Sequence, residues 1–351
     1  MAEMRIAIVG AGAAGLAAAR ALQSQPNLSN AIYERADRAG GRIATGRRPG
    51  YAFDHGAQLI KTPSAALQRL LKEELAAPGL RDVGRPVWIF DGGGRIAEGD
   101  PALNAEPKWT CAAGLDEVVA LLAEGLDVRL GMSVASLRRA GEAAKNRWSL
   151  LDAAGQPIAA ADVVLLTPPA PQAAAILAAS SIDDAIKAPL LAELARASYR
   201  RCISIALAYP QALDRPFYAL VNVDRAHPIA WLALEHAKGP ERCPPGHSLL
   251  IAQMGARWSA EQWDASDDEL GREAAALAAA LLGQSLGDPL WHDIWRWPYA
   301  LPDSGADFDA LNRTGSGLLF AGDYTAGLGR AHLAIESGWL AAEIIARSGR
   351  A

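Results

Sequence analysis

Gly10, Gly12 and Gly15, spaced G-x-G-x-x-G, together with Glu34 about twenty residues beyond the last glycine, are the residues whose types and spacing point to definite chemistry. Gly10 allows a tight turn, Gly12 offers no side chain to obstruct a pyrophosphate, and Gly15 lets a helix approach a strand closely. The N–H groups of the first helical turn, Ala14 among them, are then unspent and face the phosphates. Glu34, followed by Arg35, can accept hydrogen bonds from ribose hydroxyls. A tight helix–strand turn without a ligand would not explain Glu34. The pattern predicts a dinucleotide and leaves open which one, and for what reaction.

The elements that must position these residues read directly from the chain. Ile6–Val9 is a short apolar run of the kind that forms a buried parallel strand, followed by an alanine-rich helix to about Gln25. Pro26 breaks that helix, and Ala31–Tyr33 forms the second strand of a βαβ unit. Next comes a Gly/Arg-rich stretch in which Gly40-Gly41-Arg42 combines close backbone approach with a cation, suited to a second pyrophosphate contact. Arg47 and Arg48 add charge, weighed equally as site residues or as a solvated basic loop. Phe53-Asp54-His55-Gly56-Ala57-Gln58 reads as a turn leading into buried structure.

Length and composition bound the rest. The chain has 351 residues, 51% hydrophobic and 21% charged, with a net charge of −5, which suits a globular protein of one large or two interleaved domains. That charge gives no reason to expect nucleic acid or an anionic membrane as partner, and no apolar run is long enough to span a bilayer. Cys111, Cys202 and Cys243 are far apart and odd in number, so neither a disulfide framework nor a CxxC redox pair is suggested. The six histidines show no metal-ligand spacing, and no metal is expected. A reducing cytoplasm is the expected compartment.

Beyond the turn, Ser64–Ala76 carries leucines at 67, 70, 71 and 75 and predicts an amphipathic helix. Val87–Phe90 followed by Asp91-Gly92-Gly93-Gly94 predicts a hairpin. A helix over Gly114–Leu122, a strand over Val128–Val134 and a strand over Ala161–Thr167 follow. The cluster Pro168-Pro169-Ala170-Pro171 reads as a domain crossing. Strands at Cys202–Ala208, Ile229–Leu234 and Ser248–Met254, and a helix over Asp267–Leu282, predict a mixed sheet with a covering helix. The strand ending in Gly322-Asp323 and the helix from about Ala331 to Ala346 close the chain. The expected fold is α/β: a discontinuous Rossmann-type domain (residues 1–62, 105–170 and 301–351) with an inserted α+β mixed-sheet substrate domain (63–104 and 171–300).

The glycine turn with Glu34, the Gly40-Gly41-Arg42 loop and the Gly322-Asp323 element together resemble the FAD-binding signature of the flavin amine oxidase superfamily. Gly40–Thr45, Phe53–Gln58, Pro169-Ala170-Pro171-Gln172, Arg296-Trp297-Pro298-Tyr299-Ala300 and the run Phe320–Trp339 further resemble the renalase group and its bacterial relatives. The resemblance implies non-covalent FAD. It also implies an oxidase that takes hydride from isomeric dihydronicotinamide dinucleotides, reduced at ring carbon 2 or 6, to flavin N5, with dioxygen reduced to hydrogen peroxide. Such chemistry needs a flat seat for the ring and no strong base.

On that resemblance Gly10, Gly12, Ala14, Gly15, Glu34, Arg35, Gly41 and Arg42 are expected at the cofactor. So are His55, Gly56, Ala57 and Gln58, backbone groups around Val134, and Gly322, Asp323, Arg330, Ala331 and His332. Trp297 and Tyr299 are expected to line the ring pocket, Gln58 to bond flavin or a carboxamide, and His236, carried as a site residue, and Lys238 to reach a substrate phosphate, with a solvated loop the stronger expectation for each of the last two. Two alternatives stay open: an amine oxidase or desaturase acting on another small substrate, and a flavin-binding redox sensor without turnover.

Overall fold

The strand Met4–Val9 shows no alternation because it is buried on both faces, at the centre of a parallel sheet. The computed structural model describes residues 3–139 and 147–348. The sheet runs Leu318–Phe320, Val163–Leu166, Met4–Val9, Leu28–Tyr33 and Val128–Arg129, with every pairing parallel. Ile8 pairs with Ile32 on one side and Leu165 on the other, so three apolar runs distant in sequence become neighbours. The helix Ala13–Gln23 packs against the closing helix Ala331–Ser348. A Cβ on Gly338 would lie 2.2 Å from the Ala14 carbonyl oxygen, so glycine there permits the crossing.

By contact the chain forms two compact units: Met1–Ile43, Val119–Tyr199 and Leu301–Ala351 make the first, and Ala44–Val118 with Arg200–Ala300 the second. These bounds differ from the expected ones. Residues 44–62 and 105–118 belong to the second unit, because Thr45 Oγ1 and the Leu115 N–H both bond Asp54. Residues 171–199 belong to the first. The proline cluster is no crossing: it opens the helix Ala170–Ala178, where a residue without an N–H is tolerated in the first turn, and Ala173 and Leu177 share a core with Val164 and Phe320.

The second unit is built on a mixed seven-stranded sheet. Its order is Trp291–Pro302, Tyr199–Tyr209, Ser248–Met254, Ile229–Leu234, Ala219–Asn222, Val87–Phe90 and Ile96–Ala97. The helix Asp267–Leu282 covers one face, starting in a Ser266–Glu269 capping box and ending at Gly283 in the left-handed conformation. Pro298 is tolerated because its strand lies at the sheet edge.

Two further expectations change. The predicted helix over 64–76 is an α-helix only at Ala65–Arg69; Leu70–Glu74 winds as a π-turn, and Leu67, Leu70, Leu71 and Leu75 all stay buried. The strand expected over 128–134 ends at Arg129, because the Gly131 and Met132 N–H groups bond back to Ala36 and Glu34 instead of continuing the ladder.

Candidate functional site

In the first unit the glycine turn has the form its spacing demands. Gly10 sits at φ 102°, and its N–H donates to the Tyr33 carbonyl. A Cβ on Gly15 would lie 2.0 Å from the Gly10 carbonyl oxygen, whereas a Cβ on Gly12 would meet nothing within 4 Å. Gly12 therefore borders open space at the start of the helix Ala13–Gln23, which carries no side-chain cap and no acid in its first turn. That is an anion-receptive helix start. Thr167 Oγ1 holds the turn from below by donating to the carbonyls of Val9 and Gly10. Its one trace in the sequence is a polar residue ending an apolar run.

Glu34 is held at the same turn. One carboxylate oxygen accepts from the Ala11 N–H at 2.8 Å and the other from the Ala36 N–H at 2.9 Å. Each oxygen keeps a lone pair for a further donor such as a ribose hydroxyl. Arg35 is exposed. Gly40 bonds back to the Ala11 carbonyl, bringing Gly40-Gly41 against Gly12. Arg42 differs from expectation: its guanidinium makes two 2.8 Å hydrogen bonds to Asp323, so its charge is already matched. Burial pulls the Arg42 pKa down, but Asp323 more than offsets this and raises it.

Asp323 follows Gly322, whose N–H donates to Ser337 Oγ on the closing helix; Thr325 bonds the same hydroxyl. Ser337 is a second supporting residue that the sequence reading missed. Ala331 opens the closing helix, His332 lies half-buried beside it, and Arg330 is exposed. Val134 is buried in the core beside Leu137 and Trp148, outside any strand.

In the second unit, Tyr51–Asp54 delivers the chain into the turn 54–58, where successive carbonyls are clamped. The Asp54 carbonyl accepts from Gln58 Nε2, the His55 carbonyl from Trp297 Nε1 at 3.0 Å, and the Gly56 carbonyl from Gln253 Nε2 at 2.7 Å. The N–H groups of Gly56, Ala57 and Gln58 donate to no other described residue. The turn thus presents three unspent donors, which suit an acceptor-rich ring edge. The His55 ring stacks on Trp295 at 4.0 Å and on Trp297 at 5.4 Å between centroids. Trp291, Trp295, Trp297 and Tyr299 lie at odd-numbered positions of one strand, with Asp293 between the first two, and so share its face.

Beneath the turn lies a charge quartet that the sequence reading missed. Asp54, Glu235, Lys238 and Arg242 all have fully buried side chains. Lys238 Nζ lies 2.9 Å from Asp54 Oδ2, and Arg242 bridges Asp54 at 3.0 Å and Glu235 at 3.1 Å. Glu235 Oε1 touches Lys238 Nζ as an ion pair without hydrogen-bond geometry. Burial pushes the Asp54 carboxyl up, but Lys238 and Arg242 outweigh it and hold it well below the usual range. Burial and the neighbouring Asp54 raise Glu235.

This quartet reorders two expected roles. The Gln58 amide is turned inward, its oxygen 3.4 Å from Lys238 Nζ and its nitrogen on the Asp54 and Gly56 carbonyls, so the side chain holds the turn. His236 likewise spends both ring nitrogens on backbone groups, Nε2 at the Leu213 carbonyl and Nδ1 at Leu249, and burial lowers its pKa. Lys238, expected to be solvated, is fully buried. Arg47 and Arg48 are exposed and pair with Asp116 and Asp293. Burial pushes the Cys111 and Cys202 thiols up to about 12 and Cys243 to about 11, which disfavours thiolate chemistry. No group of metal-ligating side chains occurs among the described residues, and none of their helices is long and apolar enough to cross a membrane.

Comparison with known proteins agrees with this geometry. The chain matches the flavin containing amine oxidoreductase family over residues 97–346 and the NAD(P)-binding Rossmann-like domain over residues 8–73. A Mycobacterium tuberculosis protein named as a flavin-containing monoamine oxidase, AofH, is 33% identical over 27% of this chain, and the match spans 27% of that relative's own length. Among solved structures, cyclohexylamine oxidase from Brevibacterium oxydans superposes with a TM-score of 0.77 at 16% identity, covering 99% of this chain and all of the other. A protein described as a protoporphyrinogen oxidase from Exiguobacterium gives a TM-score of 0.78 at 19% identity over 99% of this chain and all of its own. At such identities the likeness is one of fold.

Proposed function

This chain belongs to the flavin containing amine oxidoreductase family and is an FAD-dependent oxidoreductase; from that premise we propose a renalase-type oxidase of isomeric dihydronicotinamide dinucleotides, reduced at ring carbon 2 or 6. The chain's own geometry fits FAD. The open space at Gly12, the uncapped helix start beside it and the Glu34 carboxylate suit a pyrophosphate and a ribose. The unspent N–H groups of Gly56, Ala57 and Gln58 suit the acceptor edge of a flavin ring. The chemistry supplied by bound FAD is hydride acceptance followed by passage of two electrons to dioxygen, yielding hydrogen peroxide.

One observation carries the choice of donor: an aromatic face of Trp295, His55 and Trp297 stands over ionisable groups that are already committed to one another. Asp54, Glu235, Lys238 and Arg242 are fully buried and paired with one another, and His236 is tied to backbone, so none faces a substrate as a free base. A dihydropyridine has no acidic proton to lose; it needs a flat seat and exclusion of competing donors. Trp295 and Trp297, stacked on the buried His55 ring, supply such a seat, and the Trp297 bond to the His55 carbonyl keeps it rigid.

An amine substrate is the second reading, favoured by relatives named for cyclohexylamine and putrescine oxidation. Anaerobic mixing separates the two. The isomer mixture made by chemical reduction of NAD is expected to bleach the flavin rapidly, and cyclohexylamine or putrescine only slowly. Rapid bleaching by the amines without bleaching by the isomers would overturn the proposal. If neither donor bleaches the flavin, the reading as a sensor without turnover takes its place.

A further inference from the structure

Gly322, just past the strand Leu318–Phe320, is buried and has no side chain to hold it; a Cβ there would lie 2.7 Å from the Tyr324 ring. Two hydroxyls grip its backbone instead. Its N–H donates to Ser337 Oγ at 3.0 Å, and its carbonyl accepts from Thr325 Oγ1 at 2.8 Å. The two hydroxyls lie 2.9 Å apart. A hydroxyl carries one hydrogen, and that of Thr325 is committed to the carbonyl, so the hydrogen between the two comes from Ser337. The three bonds close a ring: Gly322 N–H to Ser337, Ser337 to Thr325, and Thr325 back to the Gly322 carbonyl. Bonds linked head to tail in this way polarise one another.

The N–H and the carbonyl of one residue belong to its two flanking peptide planes, so the ring fixes both backbone torsions of Gly322. That sets the direction in which Asp323 leaves the strand. The Asp323 carboxylate meets the Arg42 guanidinium through two bonds of 2.8 Å. Arg42 in turn continues Gly40-Gly41, which the bond from the Gly40 N–H to the Ala11 carbonyl holds against the opening turn. A Cβ on Gly41 would stand 3.7 Å from Gly12 Cα. The closing helix delivers Ser337 at a set height, because the next residue, Gly338, lies with its backbone against the Ala14 carbonyl. Ser337 thus reaches the dinucleotide turn by two routes, through its neighbour Gly338 and through Gly322, Asp323 and Arg42.

We propose that Ser337 and Thr325 are positioning residues for FAD: their hydroxyl ring sets Asp323 and, through Arg42, the Gly40-Gly41 side of the space that Gly12 borders. Neither hydroxyl has to meet the cofactor, and both are spent within the ring. The proposal rests on FAD as the cofactor and not on the identity of the hydride donor. Failure of the dihydronicotinamide isomers to bleach the flavin would sink the substrate reading and leave this one standing.

The test dilutes the holoenzyme and follows released FAD by its fluorescence, which gives the dissociation constant, beside thermal unfolding of the FAD-free chain. Thr325→Val keeps the side-chain shape, and the N–H of residue 325, 3.1 Å from the Gly322 carbonyl, still serves that carbonyl, so the unfolding temperature is expected to match the parent's. Its FAD affinity is expected to fall about five- to tenfold, and Thr325→Ser, which restores the hydroxyl, to stay within about twofold of the parent. Ser337→Ala opens the same ring and is expected to weaken FAD at least as much as Thr325→Val. The double variant should then equal Ser337→Ala alone, because one ring cannot be opened twice. Thr325→Val binding FAD as the parent does, Thr325→Ser weakening it equally, or losses that multiply in the double variant would overturn the proposal. So would a lowered unfolding temperature in Thr325→Val that accounts for its lost affinity. The two Thr325 variants decide the matter even where Ser337→Ala does not fold.

Discussion

The guanidinium of Arg42 holds the carboxylate of Asp323 through two hydrogen bonds of 2.8 Å, joining positions 281 residues apart in the chain. Asp323 is almost fully buried, so its charge depends on this partner. Arg42→Met is expected to destabilise the protein by about 1–3 kcal/mol, the penalty for stranding a charged acceptor. Denaturant unfolding would measure it. Asp323→Asn in the same background should recover part of the loss, and an unchanged midpoint in Arg42→Met would show that Asp323 finds another partner.

Gly12 and Gly15 are expected to separate binding from folding. A Cβ at position 12 meets no protein atom, and the residue sits at φ −80°, so Gly12→Ala should change stability by less than about 1 kcal/mol while weakening FAD at least about tenfold. A Cβ at position 15 would collide with the Gly10 carbonyl oxygen, so Gly15→Ala should cost about 1–3 kcal/mol or more. Thermal unfolding beside fluorescence titration with FAD distinguishes the two outcomes. Equal stability losses would remove the basis for assigning the space at Gly12 to a ligand.

Lys238→Met leaves two buried carboxylates facing one arginine. Breaking a buried ion network by removing one partner costs about 3–5 kcal/mol. The double variant Lys238→Met/Glu235→Gln restores the charge balance and is expected to regain about 1–3 kcal/mol of it. A double-mutant cycle with no coupling would mean that Lys238 is held by packing alone.

The quartet also sets an acid limit. The folded pKa of Asp54 lies below its unfolded value of about 3.9, so its contribution is complete above that value and is lost as pH falls through the folded pKa. Glu235 is raised and has the opposite sign: its protonation in the folded state adds stability as pH falls toward the ordinary glutamate range. Melting temperature is therefore expected to hold or rise slightly down to about pH 4 and to drop below it. Glu235→Gln should abolish the rise, which a pH series of thermal melts would reveal. A steady decline from pH 7 would contradict the assignment.

The dinucleotide turn was legible in the sequence because every part of it is local. Gly10, Gly12 and Gly15 act within one turn, and Glu34 follows one helix and one strand later, so backbone geometry and chain length suffice to place them. The apolar runs at 6–9, 161–167 and 317–320 likewise announced parallel strands by composition alone.

Only the tertiary structure decided which polar residues are spent and which are available. Gln58, His236 and Lys238 look equally open in the sequence, yet each is consumed by groups that folding brings to it: Gln58 and Lys238 by each other and by Asp54, and His236 by Leu213 and Leu249. Arg42 reads as a free cation until Asp323 arrives from the far end of the chain. Hydrogen-bond satisfaction depends on neighbours in space rather than on spacing along the chain. The sequence by itself determined the dinucleotide fold at Gly10 to Glu34; long-range packing decided the chemistry offered around the turn at His55.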